Sequence, residues 1–253
     1  MPRYALLVEY DGAPFVGWQR QDNGVSVQGV LEEAAARLNG GIVPTLTAAG
    51  RTDAGVHAEG QVAELEIAAD LPPERLREAL NFHTRPHPVA VIGAALAPEG
   101  WNARFSATAR AYRYRILNRG PRPALDLGRV WHLPQWLEAE AMHAAAQSLL
   151  GRHDFSAFRA AACQAKSALR TLDRLEVSRM GTEVQVTAGA RSFLHHQVRN
   201  LVGTLVQVGL GKRPVGWPRQ VLDGRDRARA GQTAPAEGLT FLSVQYTTIP
   251  DWR

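Results

Sequence analysis

The sequence predicts a mixed α/β chain of the α+β type, with two similar halves, each a largely antiparallel sheet backed by helices. Three observations carry this. Short alternating strand patterns recur in both halves. About two helical patterns accompany the strands of each half. Hairpin spacing with one polar face per strand favours antiparallel pairing over a buried parallel sheet. The halves are taken as residues 1–102 and 103–253, and two such halves would leave a cleft between them.

The elements follow in order. Arg3 to Tyr10 alternates as a strand, and Asp11-Gly12 ends it. Ser26 can cap a helix whose apolar positions Val27, Val30, Leu31, Ala34 and Leu38 keep helical spacing, with Gly40-Gly41 as the stop. Short strands are expected at Thr45–Ala48 and Gln61–Ala68, a helix from Pro72-Pro73 to about Leu80, and a buried strand at Val89–Ala95. The second half reads as a strand over Arg110–Asn118 and a helix over Leu137–Leu150 closed by Gly151. Strands follow at Leu172–Ser178 and Thr182–Thr187, then a helix from about Phe193 to Val208 and a last strand at Leu239–Tyr246. The stretches Gly120–Trp131, His153–Arg170 and Gly209–Ala236 remain as long loops, and long loops are often functional.

Composition narrows the function. The 253 residues suffice for a sizeable core. Cys163 is the sole cysteine, which excludes an internal disulfide and a thiolate zinc cluster and suggests the cytoplasm. The N-terminus lacks the apolar core of a signal peptide. The longest apolar run, Val89–Ala97, is short of the roughly 20 residues needed to span a bilayer, so no membrane role is expected. Net charge is +5, carried almost entirely by arginine, since lysine occurs only at Lys166 and Lys212. Arginine suits phosphate and base edges, so a polyanionic partner competes with a plain compositional bias.

Three segments could bear chemistry. In "AGRTDAGVHA", residues 49–58, Arg51 and Asp53 sit in a glycine-bounded turn stripped of bulk. Arg51 beside Asp53 would hold the carboxylate ionised. A plain turn residue with a surface arginine is the competing reading, which the small neighbours Ala54, Gly55 and Ala58 weaken. His57, four residues on, is read as a hydrogen-bonded structural residue. His153 and His195-His196 are the other histidine candidates, and no set has clear metal spacing, so no metal is expected. In "ATARAYRYRI", residues 107–116, Arg110, Tyr112, Tyr114 and Ile116 share one face. That pattern suits either a stacking platform with phosphate contacts or a core face backed by a solvated basic one. In "FLHHQVRNLVGTLVQVG", residues 193–209, Arg199 shares a face with Gly203, and a mid-helix glycine would let another segment approach beside Arg199. Walker, Rossmann and serine-hydrolase motifs are missing, so no nucleotide-fuelled or hydride chemistry is indicated.

With "EYDGAPFVGWQRQ", "ARFSATARAYRYRI" and "APAEGL" in order along essentially the whole chain, these segments resemble the TruA family of tRNA pseudouridine synthases. The resemblance implies Asp53 as the nucleophile, Tyr112 as a contact to the target base, and Arg51 and Arg199 flanking the carboxylate. It implies RNA contacts at Arg104 and in the loop from Arg159 to Lys166, and the strand pattern adds Arg110. It further implies a homodimer and, as substrates, uridines 38, 39 and 40 of the tRNA anticodon stem-loop. The rearrangement gains no atoms and changes no redox state, so no cofactor is expected. Departures from the family pattern, such as "WNARF" at 101–105 and "FLHHQVRN" at 193–200, leave Asp53, Tyr112 and Arg199 in place.

Overall fold

A computed structural model describes all residues, Met1–Arg253. It has ten strands and five α-helices in two compact units. Unit 1 comprises Met1–Thr108 together with Phe241–Arg253, and unit 2 comprises Ala109–Thr240. The mixed fold class and the antiparallel sheets backed by helices are as expected.

In unit 1, β1 (Arg3–Tyr10) runs antiparallel to both β3 (His57–Glu66) and β4 (Val89–Leu96). The short β2 (Thr47–Ala48) also pairs with β3. β10 (Leu239–Tyr246) lies beside β3, and the approach is close: a Cβ on Gly60 would sit 2.4 Å from the Leu242 carbonyl oxygen. Helix α1 (Val27–Ala36) begins where Ser26 Oγ accepts the Gly29 N–H at 3.1 Å, satisfying one of the orphan donors of the first turn. Helix α2 (Pro73–His83) starts on Pro73, where a missing N–H costs nothing. It buries only Leu76 and Leu80 and leaves its charged face in water. A further cluster of Ala5, Ala49, Val62, Trp101, Ala103, Ala107 and Tyr246 is extended by Val244 and Trp252, so the C-terminal segment is part of this unit's core.

In unit 2 the strand order is β5 (Ala107–Leu117), β9 (Glu183–Ala190), β8 (Leu169–Met180) and β7 (Gly151–Asp154), each antiparallel to its neighbour. The two-residue β6 (Trp131–His132) pairs parallel with β5. Helices α3 (Ala139–Gln147), α4 (Gln197–Gly209) and α5 (Trp217–Gly224) complete the unit. Helix α5 falls in a stretch expected to be a loop, and β6 and β7 overlap the edges of the other two. Helix α4 starts four residues later than its apolar spacing predicts. His196 takes a left-handed conformation, φ 60°, which an L residue does not propagate, and Gln197 Oε1 turns back to accept the Leu194 N–H at 2.8 Å.

One ion pair pins β5 to β9. Arg115 grips Glu183 with two parallel bonds, Nε–Oε1 at 3.0 Å and Nη2–Oε2 at 2.7 Å, and Nη2 also reaches Asp126 at 3.1 Å. Burial alone would raise the Glu183 carboxyl, but the hydrogen bonds from Arg115 and Gln185 outweigh it and lower its pKa. A depressed carboxyl contributes stability that is full above its unfolded pKa, about 4.3, and is lost as pH falls through the folded value. Glu183→Gln should therefore cost about 1 kcal/mol at pH 7, a figure already reduced for solvent screening of this part-exposed pair. Urea midpoints of variant and parent should converge as the pH falls below about 4. Equal midpoints at pH 7 would show the fork to be stabilising nothing.

Candidate active site

In unit 1, Asp53 sits in the connection from β2 to β3, and nearly every neighbour of that connection is fastened. Ala49 N–H donates to the Val62 carbonyl at 2.8 Å. The fully buried Gln61 donates to the Gly50 carbonyl at 2.7 Å. Tyr10 and Thr52 share a buried hydroxyl–hydroxyl bond of 2.7 Å. Burial pushes the Tyr10 phenol up to about 12, against the smaller lowering effect of its bonds, so it holds Thr52 as a neutral group. The Trp18 N–H donates to the Thr52 carbonyl at 3.0 Å, and Asp53 itself forms an antiparallel bridge with Gly17. The turn closes by Val56 N–H donating to the Asp53 carbonyl at 3.1 Å, with Gly55 at φ +77°.

Two glycines outside the motif make this possible. A Cβ on Gly12 would lie 2.0 Å from the Val56 carbonyl oxygen. Gly17, at φ +117°, would place one 2.8 Å from the Thr52 carbonyl oxygen. The Asp53 turn is thus gripped by bare backbone from both positions. His57 is buried at the head of β3, and its Nδ1 accepts the Gly12 N–H at 3.0 Å. The Asp11 carboxylate lies 3.1 Å from the same nitrogen. His57 thus ties Gly12 and Asp11 to the head of β3. The bond to Gly12 agrees with the structural role expected of His57, which opens β3.

Arg51 is exposed, and bonds from Gln61, Tyr10 and Trp18 hold the backbone of the turn. Asp53 is half-buried, and Ala54 beside it is exposed.

Unit 1 also displays Arg104 on a rigid loop. Glu64 accepts from Arg3 Nη2 at 3.1 Å, Asn102 Nδ2 at 2.5 Å and the Ala103 N–H at 3.1 Å. Asn102 Oδ1 takes the N–H groups of Arg104 and Phe105 at 3.0 and 2.9 Å, and Tyr246 donates to the Ala103 carbonyl at 2.7 Å. Arg104 and Phe105 both face solvent, with the guanidinium 5.5 Å from the ring centroid.

Unit 2 brings Tyr112 and Arg199 into one framework. Tyr112 is buried on the inner face of β5 and meets Phe193 edge-on, ring centroids 5.2 Å apart. Arg199 Nε donates to the Ala234 carbonyl at 2.8 Å, and the Ala234 N–H returns to the Arg199 carbonyl at 3.1 Å. The Tyr114 hydroxyl donates to the Pro235 carbonyl at 2.7 Å. The "APAEGL" segment therefore fastens β5 to α4. Gly238 lies so close to Tyr114 that a Cβ would fall 2.6 Å from its ring. The expected close approach beside Arg199 is present: a Cβ on Gly203 would lie 1.8 Å from the Gln232 carbonyl oxygen.

Sequence reasoning missed the hub of this arrangement, Asn200. It is fully buried, donates to the Phe158 carbonyl at 2.8 Å, and accepts from Arg227 Nη2 at 3.0 Å and Thr233 Oγ1 at 2.7 Å. A buried amide bracketed by apolar helix residues was the one available signal.

The other expected RNA contacts differ in placement. Lys166 is exposed and Arg159 half-buried in the loop that leaves β7. Arg110 is buried, and its guanidinium donates to the Arg191 carbonyl. The face carrying Arg110, Tyr112, Tyr114 and Ile116 is largely buried, with Arg110 and Tyr112 each 8% exposed.

The family model described as tRNA pseudouridine synthase matches residues 6–106 and 145–247. The chain belongs to the tRNA pseudouridine synthase family. It is 62% identical over 251 residues to tRNA pseudouridine synthase A of Acidiphilium cryptum, covering 99% of this chain and 98% of the relative. It is 58% identical over 248 residues to the protein of that name from Paramagnetospirillum magneticum, covering 98% and 96%. The protein of that name from Rhodospirillum centenum is 55% identical over 246 residues, covering 97% of this chain and all of the relative. As a tRNA pseudouridine synthase the chain is an isomerase acting on tRNA. None of its helices is long and apolar enough to cross a membrane.

Proposed function

We propose that this synthase converts uridines 38, 39 and 40 of the anticodon stem-loop to pseudouridine, with Asp53 as the nucleophile and no cofactor, as a cytoplasmic homodimer. The observation that carries the reading is the Asp53 turn. A carboxylate is held on a backbone locked by Gly12, Gly17, Gln61 and Tyr10, with exposed Ala54 beside it and no bulky side chain in the turn. A rigid, small-walled carboxylate suits attack on a nucleotide that has left its stack.

The reaction balances without a co-reactant. The bond between uracil N1 and ribose C1′ breaks, the ring turns, and C5 bonds to C1′. The proton lost from C5 is matched by one gained at N1. Tyr112, Arg51 and Arg199 we assign to the substrate, Tyr112 to the target base. Arg104, Arg110, Arg159 and Lys166 we assign to RNA, with Arg104 and Lys166 exposed, Arg159 half-buried and Arg110 on the face of Tyr112.

The test is tRNA tritiated at uracil C5. The purified protein should release one tritium to water for each pseudouridine formed, and mapping should place the product at positions 38 to 40. Absence of release from a tRNA with uridine at all three positions would overturn the reading.

A further inference from the structure

The positive charge of this chain is not evenly spread. Six cationic and two acidic side chains fall within Lys212–Arg229, a surplus of four in a chain whose net charge is +5. The rest of the molecule is close to balanced. Of the six, Arg227 turns inward to Asn200, Thr233 and the Gly231 carbonyl. Lys212, Arg213, Arg219, Arg225 and Arg229 are exposed.

This segment borders a pocket of about 350 Å³, whose polar lining is Arg152, His153, Asp154, Arg219, Asp223 and Arg225. Its two carboxylates are already engaged. Asp154 accepts the Ser156 hydroxyl at 2.6 Å and the Ser156 N–H at 2.9 Å, and these bonds hold it below the usual carboxylate range. Asp223 takes both of its bonds, 3.1 Å each, from Arg219 Nε. Arg152 on β7 and Arg225 after α5 remain as the cations of the rim, the latter 3.7 Å from Asp154 and 68% exposed. Arg225 also stands at φ 55° just past the helix, a position usually given to glycine. An arginine kept in a left-handed conformation at the lip of a pocket points to use of its side chain.

We propose that this pocket and the exposed arginines around it hold the phosphate backbone of the tRNA substrate, at a place separate from the target nucleotide. β7 lies three strand spacings from β5, about 14 Å, so RNA bound there is not the nucleotide presented to Tyr112. Arginine-lined concavities with their acids internally satisfied bind phosphate without reading sequence. The proposal rests on the preceding reading only in taking tRNA as the polyanion.

The experiment is tRNA binding over a series of salt concentrations. Arg152→Gln combined with Arg225→Asn removes both rim charges, and asparagine tolerates the left-handed backbone. Kd for tRNA should rise about tenfold near 0.1 M salt, and the salt slope should fall by about two. Tritium release at saturating tRNA should keep its rate. Arg75→Gln with Arg174→Gln removes two exposed charges elsewhere and should leave the slope unchanged. An unchanged slope in the rim variant, or an equal loss in the control, would overturn the proposal. A parent protein that binds tRNA yet releases no tritium would sink the synthase reading alone, since the slope decides the backbone contact in either case.

Discussion

Asp53→Asn should stop tritium release from C5-labelled tRNA, lowering kcat/KM by about a thousandfold or more. The amide keeps the size and shape of the carboxylate but has no charge to share with an electrophilic carbon. The bonds that shape the turn survive the change. They are the Val56 N–H on the Asp53 carbonyl, the bridge to Gly17, the Thr52 bond to Tyr10 and the Gln61 bond to Gly50. Affinity for tRNA should therefore stay within severalfold, which separates lost chemistry from lost binding. Turnover within tenfold of the parent would remove Asp53 from its assigned role.

Gly12→Ala should be the most damaging single methyl group in unit 1. Its Cβ would meet the Val56 carbonyl oxygen at 2.0 Å, with Val56 carbon and nitrogen also inside 3 Å. Backbone cannot swing away as a flexible side chain does, so the turn carrying Asp53 must shift. We expect a loss of about 3 kcal/mol, the upper part of the range for overpacking. That corresponds to a fall in Tm of about 6–12 °C for a chain of this size. Activity should fall further than stability, because Val56 closes the turn on the Asp53 carbonyl. Gly120→Ala is the matched control. It has nothing within 4 Å of its added Cβ and no left-handed backbone, so its Tm should scarcely move. If Gly12→Ala is as mild as that control, the grip on the Asp53 turn is not tight.

These two positions show what was readable in the sequence and what was not. Asp53 was legible because an acid in a run of small residues is a local pattern. Gly12 was read only as the end of a strand, because its partner is 44 residues away and no periodicity links them. The same contrast runs through the fold. Strand β1 matches its alternation from Arg3 to Tyr10, and Ser26 caps α1 as its position predicts. The four-residue β7 is a strand because β8 offers an edge, which is tertiary information. Helix α5 was hidden by Pro214, Gly216 and Pro218, although Pro218 sits in its first turn where a missing N–H is harmless. Alternation sorted Arg110, Tyr112 and Tyr114 onto one face without saying which face the core would cover. The Gln61 and Tyr10 bonds that hold the Asp53 turn span 11 and 42 residues, too far for a local pattern to reveal.

The composition of unit 1 has a consequence for synthesis. Its first 108 residues emerge early, but Phe241–Arg253, with most of β10, emerge after unit 2. Those final residues supply the strand beside β3, the Tyr246 bond to Ala103, and the reciprocal pairing of Arg253 with Ala94. Unit 2, contiguous in sequence, can close while the ribosome is still translating. The sheet that bears Asp53 is therefore complete only after every residue of unit 2 has been made.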